Sequence, residues 1–494
     1  MLKGQCDLQT KMGISSIRVW RILCSVSEAP PLFSTLRQSS DADIVAAIEE
    51  LVHTAPERQL SRVNVLDFAS KWDLDEEKTI AAFLHAARLG IFELSWNVLC
   101  LECGGVLDTA ATLKNVHNEA YNCALCATGY EPTLDERVEV TFTVSSRVRR
   151  IAAHDPHKLP QWEFYRQIFW SSGVDLPDDA FKRMIDETIL DARELQPGEK
   201  IALPLQLPQE LVIVFDPVTH SAQYIQVRGE PAKEQQNLSV VFNNSHEPTG
   251  NIVLRPGPLN LSLDNRTNMR ALPVVWIAGD ALNGLLEKRR PYLTAKRLLT
   301  NQTFRDIYRT DTLNVDQGLK ILNLTFLFTD LKGSTELYER VGDLVAYELV
   351  RAHFHVLNEI VASESGAVVK TIGDAVMATF PTPDRALAAA LRMREAIRAV
   401  GNKSRREDLL LKIGIHEGPC LAVMLNERLD YFGQTVNIAA RVQGLASSRA
   451  IFATKPIVEH PLVSRLLESS NIQPAMHRVS LKGIAEQVTV YEIP

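Results

Sequence analysis

Apolar residues recur along this chain with two periods, and the points where the period changes divide it into regions. From about residue 41 the spacing is helical. Ile44, Val45, Ile48, Leu51 and Val52 share one face, a second helix follows around Val63–Trp72, and a third runs from Asp75-Glu76-Glu77 through Ile80, Phe83, Leu84 and Ala87 to Gly90. Ile91–Leu99 then reads as extended. From about 136 to 278 the period drops to two, as in Val138-Glu139-Val140-Thr141-Phe142-Thr143-Val144. Further short strands fall near Leu211–Phe215, Gln223–Val227, Leu238–Phe242, Asn251–Leu254 and Leu259–Leu263, with Pro, Gly and Asn clusters between them. Pro160–Ile189 is a helical insert, and the whole region predicts a β-sandwich. Residues 279–320 hold the basic run Lys288-Arg289-Arg290, Pro291 and short amphipathic pieces, which is the pattern of a connector. At Leu322 a hydrophobic strand begins, followed by a helix whose apolar stripe is Leu337, Val341, Leu344, Tyr347, Phe354, Leu357 and Val361.

A chain of 494 residues is too long for one core, so these regions are separate modules. With 46% hydrophobic and 23% charged residues it has the composition of a folded globular protein rather than a disordered one. The predicted fold is multidomain α+β: residues 1–40 weakly structured, 41–98 a winged-helix-like helical module, 99–132 a zinc ribbon, 133–279 a β-sandwich-like domain, 280–320 a connector, and 321–494 a final α/β domain. A winged helix suggests DNA binding, but the third helix carries only Lys78 and Arg88 as basic residues, and the net charge of −7 opposes a surface dominated by phosphate contacts. That module therefore reads as a packing or regulatory unit, with no nucleic-acid partner. No run approaches the roughly 18 consecutive apolar residues of a membrane span, and the chain reads as cytoplasmic.

Four of the seven cysteines form two pairs, Cys100-x-x-Cys103 and Cys123-x-x-Cys126, separated by nineteen residues. Two such knuckles place four thiolates tetrahedrally around one Zn²⁺, which closes the coordination shell and makes the ion structural.

The last region carries three chemical segments. In the first, the strand Leu322–Phe328 ends in Thr329-Asp330-Leu331-Lys332-Gly333-Ser334-Thr335 before a helix, a geometry that offers a carboxylate to divalent cations and free amides to phosphate oxygens. The second, Val368–Phe380, has two strand-like halves joined at Gly373-Asp374, so that a hairpin turn projects Asp374 toward Asp330. Two carboxylates held together repel each other unless cations lie between them, and with two Mg²⁺ ions they form the clamp for in-line attack at phosphorus. The third, Arg428–Arg441, leads through Gly433 into a helix on which Asn437 and Arg441 share a face, suiting a ribose and a charge-accumulating phosphoryl group.

Together with Leu481-Lys482-Gly483, these segments resemble the class III adenylate and guanylate cyclases over residues 320–494. The resemblance implies a ferredoxin-like α/β domain that works as a head-to-tail homodimer with active sites at its interface. It implies Asp330 and Asp374 as ligands of two Mg²⁺ or Mn²⁺ ions, with the Leu331 backbone beside them. It further implies Lys370 and Asp430 as the pair that recognises adenine, Asn437 and Arg441 as transition-state residues, and Lys482, with Gly333, Ser334 and Thr335, as contacts to the triphosphate. The front half is similar to the N-terminal region of some bacterial cyclases of this class.

The reaction expected is attack of the ribose 3′-oxygen on the α-phosphorus of ATP, giving 3′,5′-cyclic AMP and pyrophosphate. Adenine offers an amino donor and the acceptor N1, which match Asp430 and Lys370, whereas guanine reverses both. His416 reads as a structural residue rather than a general base. The competing expectations are a guanylate cyclase, or a catalytically silent cyclase-like sensor or scaffold.

Overall fold

The structure, a computed structural model, describes residues 29–494 apart from 118, 244–249, 280–283, 285, 287, 309–312, 314–316, 333–338, 340, 404–409 and 447–449. The chain opens with helices α1 (Ala29–Leu36), α2 (Ala42–Thr54), α3 (Val65–Lys71) and α4 (Glu76–Arg88). Asp41, Asn64 and Asp75 cap α2, α3 and α4 by accepting hydrogen bonds from first-turn amides, as short polar residues at these positions should. The expected face Ile44, Val45, Ile48, Leu51 and Val52 is buried. Helix α1 corrects the weakly structured reading of residues 1–40 in its described part, because Phe33 and Leu36 are fully buried. Two apolar anchors suffice to hold eight residues once neighbouring helices cover them, and so short a stretch shows no periodicity of its own.

Strand β1 (Phe92–Leu99) follows, then β2 (Val106–Ala110), the small hairpin β3 (Tyr121–Cys123) and β4 (Thr128–Tyr130), and β5 (Val138–Val144). The alternating pattern puts β5 at the head of the central domain. Instead it pairs antiparallel with β1 along its whole length, in a sheet ordered β2-β1-β5. Alternation shows that a segment is a strand but not which strand it joins, and Phe142 settles the matter by packing on Phe83 of α4 at 5.2 Å between ring centroids.

Helix α5 (Gln161–Phe164) runs into a π-helical turn, and α6 (Asp178–Thr188) leads to β6 (Ile189–Ala192), β7 (Lys200–Leu207), β8 (Leu211–Asp216), β9 (Ser221–Val227), β10 (Gln236–Phe242), β11 (Ile252–Leu254), β12 (Gly257–Asn265) and β13 (Val274–Ala278). These strands form a three-stranded sheet, β10-β12-β7, and a five-stranded sheet, β11-β9-β8-β13-β6. Their inner faces share one core, with Leu203, Leu261 and Phe242 on one side and Val212, Val214 and Ile225 on the other. The alternate residues of the larger sheet, Ile213, Phe215 and Trp276, pack outward on Tyr165, Phe169, Trp170 and the cysteine cluster.

The predicted connector holds two short helices, α7 (Ala295–Leu299) and α8 (Gln302–Ile307), and Leu298, Leu299 and Phe304 are buried in a core continuous with both halves of the chain. After them come β14 (Leu319–Lys332), α9 (Asp343–Ser363), β15 (Ala367–Ile372), β16 (Ala375–Phe380), α10 (Pro383–Lys403), β17 (Leu410–Leu425), β18 (Arg428–Phe432), α11 (Gln434–Gly444), β19 (Ile451–Thr454), α12 (Lys455–Val458), α13 (Pro461–Ser469), β20 (Ala475–Val479) and β21 (Val488–Ile493). The eight-stranded sheet runs β15-β16-β14-β17-β19-β21-β20, with β18 paired to β17. Its first six elements are βαββαβ with fourth, first, third and second strands side by side, the ferredoxin-like order. Helices α9 and α10 cover one face through Leu327, Leu331, Ile413, Val376, Leu357, Val361 and Leu387. The stripe of α9 differs from the expected one. Its buried residues are Ala346, Val350, His353, Leu357, Ile360 and Val361, whereas Leu344 is 77% and Tyr347 58% exposed, and Leu337 lies outside the described residues. Among the described residues no helix is long and apolar enough to cross a membrane.

Helix α11 lies on the opposite face and comes unusually close to β17. A Cβ on Gly414 would stand 2.1 Å from the backbone nitrogen of Gln443, and Thr435 at the start of α11 donates to the Pro419 carbonyl at 2.5 Å. Replacing Gly414 with Ala must therefore push the helix off the sheet, because backbone cannot yield as a side chain can. The expected cost is about 3 kcal/mol or more by the usual scale for overpacking, read as a lowered midpoint in urea unfolding.

Candidate active site

Asp330 stands near the end of β14, directly opposite Lys412 of β17, whose ammonium lies 3.5 Å from its carboxylate. Along β14 the side chains alternate. Leu327 and Leu331 enter the core under α9 and α10, while Phe326, Phe328 and hence Asp330 face the other side of the sheet. Asp374 follows Gly373, whose φ of +63 closes the tight turn between β15 and β16. The pairing Thr329↔Val376, continued along the two strands, sets Asp374 beside Leu331, one residue past Asp330. The fold thus brings both carboxylates to the same end of neighbouring strands, which lie about 4.8 Å apart.

One oxygen of Asp374 is buried without a hydrogen-bond partner. Beneath the turn lies His353 of α9, buried, with neither ring nitrogen partnered. Burial pushes its pKa down to about 4 against the pull of the Asp374 charge, so the imidazole is neutral near pH 7. Sequence reasoning passed over this residue. The spacing Ala346, Val350, His353, Leu357 would have revealed it as the polar member of the inner stripe of α9.

Lys370 on β15 and Asp430 on β18 meet at 2.5 Å, with the Asp430 side chain largely buried and Lys370 partly open to solvent. The second Asp430 oxygen accepts the Tyr431 amide at 2.8 Å, so the carboxylate is fixed in orientation. Asn437 is exposed on α11. Arg441, one turn further, reaches the turn that carries Lys482: its guanidinium lies 3.5 Å from where a Cβ on Gly483 would be, and Gly483 has a φ of +75. The positive φ favours a glycine there. Leu331 pairs with Leu411 and buries its side chain. Gly333, Ser334 and Thr335 lie outside the described residues. The structure therefore joins Lys370 with Asp430 and Arg441 with the Lys482 turn, while Asp330 stands against Lys412 and Asp374 stands by His353 at the same end of the neighbouring strands.

Away from this domain, the sulfurs of Cys100, Cys103, Cys123 and Cys126 all lie within 4.8 Å of one another, and Cys103 and Cys123 are 3.7 Å apart. The cysteines are unpaired by disulfides. Their mutual hydrogen bonds hold the Cys100 thiol far below its ordinary pKa and push Cys103 and Cys126 above theirs.

Comparison with known proteins adds to this geometry. Residues 26–306 match a family of unknown function, DUF5939, and residues 319–493 match the adenylate and guanylate cyclase catalytic domain. An adenylate cyclase of Anabaena cylindrica is 26% identical over 214 residues, 40% of this chain and 42% of that one. Adenylate cyclase 2 of Rhizobium meliloti is 36% identical over 132 residues, 24% of this chain and 36% of that one. Guanylate cyclase 32E of Drosophila melanogaster is 30% identical over 143 residues, 26% of this chain and 12% of that one. The matches span less than half the length of these curated relatives. The adenylyl cyclase CyaB from P. aeruginosa superposes with a TM-score of 0.32 at 21% identity, over 36% of this chain and 96% of that one.

His416 of β17 is bonded through Nδ1 to the Thr454 hydroxyl at 2.7 Å, and burial lowers its pKa from 6.5 to about 4. The folded state therefore binds fewer protons than the unfolded state between these values. Stability from this residue is complete above about pH 6.5 and is lost as pH falls toward about 4, at up to about 1.4 kcal/mol per pH unit. Urea midpoints measured from pH 7.5 to 4.5 should fall less steeply in His416→Phe than in the native chain.

Proposed function

We infer the function from a plain premise: the chain belongs to the family of unknown function DUF5939 through residues 26–306, and residues 319–493 are a class III adenylate and guanylate cyclase catalytic domain. On that premise it is an adenylate cyclase, converting ATP to 3′,5′-cyclic AMP and pyrophosphate. The observation that carries the choice of ATP is the Lys370–Asp430 contact of 2.5 Å. It sets one donor and one acceptor side by side, the complement of adenine's N1 and amino group. Guanine, with N1–H and a carbonyl at the same edge, would leave both partners mismatched, and a buried mismatch costs more than a missing contact.

Asp330 and Asp374 fit a pair of divalent cations, Mg²⁺ or Mn²⁺. They are hard oxygen donors on adjacent strand ends, and one Asp374 oxygen is buried with no protein partner. When bound, such cations supply positive charge that acidifies the ribose 3′-hydroxyl and offsets the triphosphate. The chain's own residues do the rest. Lys370 and Asp430 hold the base, and Asn437 on the exposed face of α11 orients the ribose. Arg441 and Lys482 receive the charge that builds on pyrophosphate as the 3′-oxygen bonds to the α-phosphorus and the bridging bond breaks. The hydroxyl proton leaves to water or a phosphate oxygen; His353 and His416 are both buried and, with pKa values of about 4, are weak bases.

Two apolar side chains beside these residues stand in solvent, Ile372 at 55% and Phe432 at 67% exposure. They support a homodimer in which a second copy covers them and each site draws Asp330 and Asp374 from one chain and the remaining residues from the other. The cysteine cluster fits one structural Zn²⁺: bonds of about 2.3 Å in a tetrahedron place sulfurs about 3.8 Å apart, close to the spacing of Cys103 and Cys123.

Three measurements bear on this reading. With Mn²⁺ and all four nucleotides, ATP should be turned over fastest; faster turnover of GTP would overturn the base assignment. Asp374→Ala and Asn437→Ala chains, each inactive, should recover about a quarter of native activity when mixed in equal amounts, because half the dimers are mixed and each has one intact site. Inert proven heterodimers would exclude shared sites. Cys103→Ser should lose about one Zn²⁺ per chain by metal analysis and unfold at lower temperature.

A further inference from the structure

The strands that present Lys370 and Asp430 are held from outside the catalytic domain. On β15, the Val368 amide, two residues before Lys370, donates to the Gln302 side chain at 2.8 Å. On β18, Arg305 Nη2 donates to the carbonyl of Leu429 at 2.5 Å, immediately before Asp430. Immediately after it, the Tyr431 hydroxyl donates to the Leu299 carbonyl at 3.3 Å, and the Arg305 guanidinium lies 5.7 Å from the Tyr431 ring centroid. A cavity of about 220 Å³ separates α8 from the strands, bordered by Gln302, Arg305 and Tyr308 on one side and Lys370, Thr371 and Leu429 on the other.

Helices α7 and α8 are in turn fixed to the front of the chain. Arg297 pairs with Glu76 at 2.6 Å and Glu77 at 2.9 Å, Asn301 donates to Glu77 at 3.0 Å, and Phe304 packs edge-on against Trp96 at 5.9 Å. A continuous path of packed and hydrogen-bonded groups thus leads from the capped start of α4 to the two strands. Arg305 Nη1 is buried without a partner. A buried donor left unsatisfied disfavours arginine on grounds of stability alone.

We propose that α7 and α8, the last helices of the region whose family has no assigned role, clamp the purine-recognition strands. Gln302 and Arg305 are positioning residues that set the spacing of Lys370 and Asp430, so that affinity and selectivity for the nucleobase depend on the N-terminal half. The proposal rests on the base-recognition reading of those two residues. Neither Gln302 nor Arg305 touches a reacting atom. Their loss should therefore weaken base binding and discrimination while leaving the bond-making step largely intact.

The test uses the full chain. Arg305→Met and Gln302→Ala should each raise KM for ATP by about tenfold, the usual effect of one lost directional hydrogen bond to a charged or fixed group, with kcat changed by less than about twofold. The ratio of ATP to GTP turnover should fall, and Arg305→Lys should restore part of it. Hydrogen exchange at residues 367–372 and 428–432 should quicken in Gln302→Ala, a readout independent of activity. Lys370→Ala is the control. If it shifts the nucleotide ratio while the Arg305 and Gln302 variants leave the ratio and the exchange unchanged, the clamp is overturned and the base reading stands. If Lys370→Ala leaves the ratio unchanged, the base assignment fails and the clamp falls with it.

Discussion

The catalytic half depends on how its first strand is anchored. The pairing of β14 with β17 breaks between Ile321 and Leu324, leaving the amides of Leu322 and Asn323 outside the ladder. Both are taken by the buried carboxylate of Asp135, at 2.5 and 3.2 Å, and Lys296 balances its charge at 3.3 Å. Leu134 adds a backbone bond to the carbonyl of Lys320 at 3.0 Å. A bulge fixes register, because slipping by one residue would turn every side chain of the strand to the wrong face. Asp330 sits at the far end of this same strand, whose start is thus held by a carboxylate from the front half of the chain.

The cyclase domain uses strand ends and one helix start to hold charged groups that a compact core would otherwise exclude. Asp374 is aimed by a glycine turn, and Arg441 reaches the turn at Gly483. Asp430 is oriented by a neighbouring amide, and α11 is set by its contact with Gly414. Each device is local and rigid, which suits groups that must meet a substrate within a fraction of an ångström. Three buried polar atoms without a partner, an Asp374 oxygen and both nitrogens of His353, lie close together at the turn between β15 and β16.

Much of this was legible in the residues, and the reason is locality. The Gly-Asp turn, the strand carrying Asp330 and the helix carrying Asn437 and Arg441 are each specified within a dozen positions. The two cysteine pairs were legible in the same way, since spacing alone brings four sulfurs together. What the pattern did not show depends on distant partners. Alternation identified β5 as a strand but could not assign it to β1. Amphipathic pieces at 295–307 read as a connector because their apolar side chains are buried by residues more than a hundred positions away. His353 was hidden for another reason: a histidine at an inner helical position carries no hydrophobic signal, and only the stripe around it betrays the site.

One apolar cluster runs without a break from Phe33 and Phe83 through Trp96, Leu299 and Phe304 to Phe326, Met377 and Tyr431. The boundary drawn between two families at about residue 310 therefore does not coincide with a boundary in the folding unit. Recombination that joined this C-terminal segment to a different front end would strand a wet hydrocarbon face on the catalytic sheet.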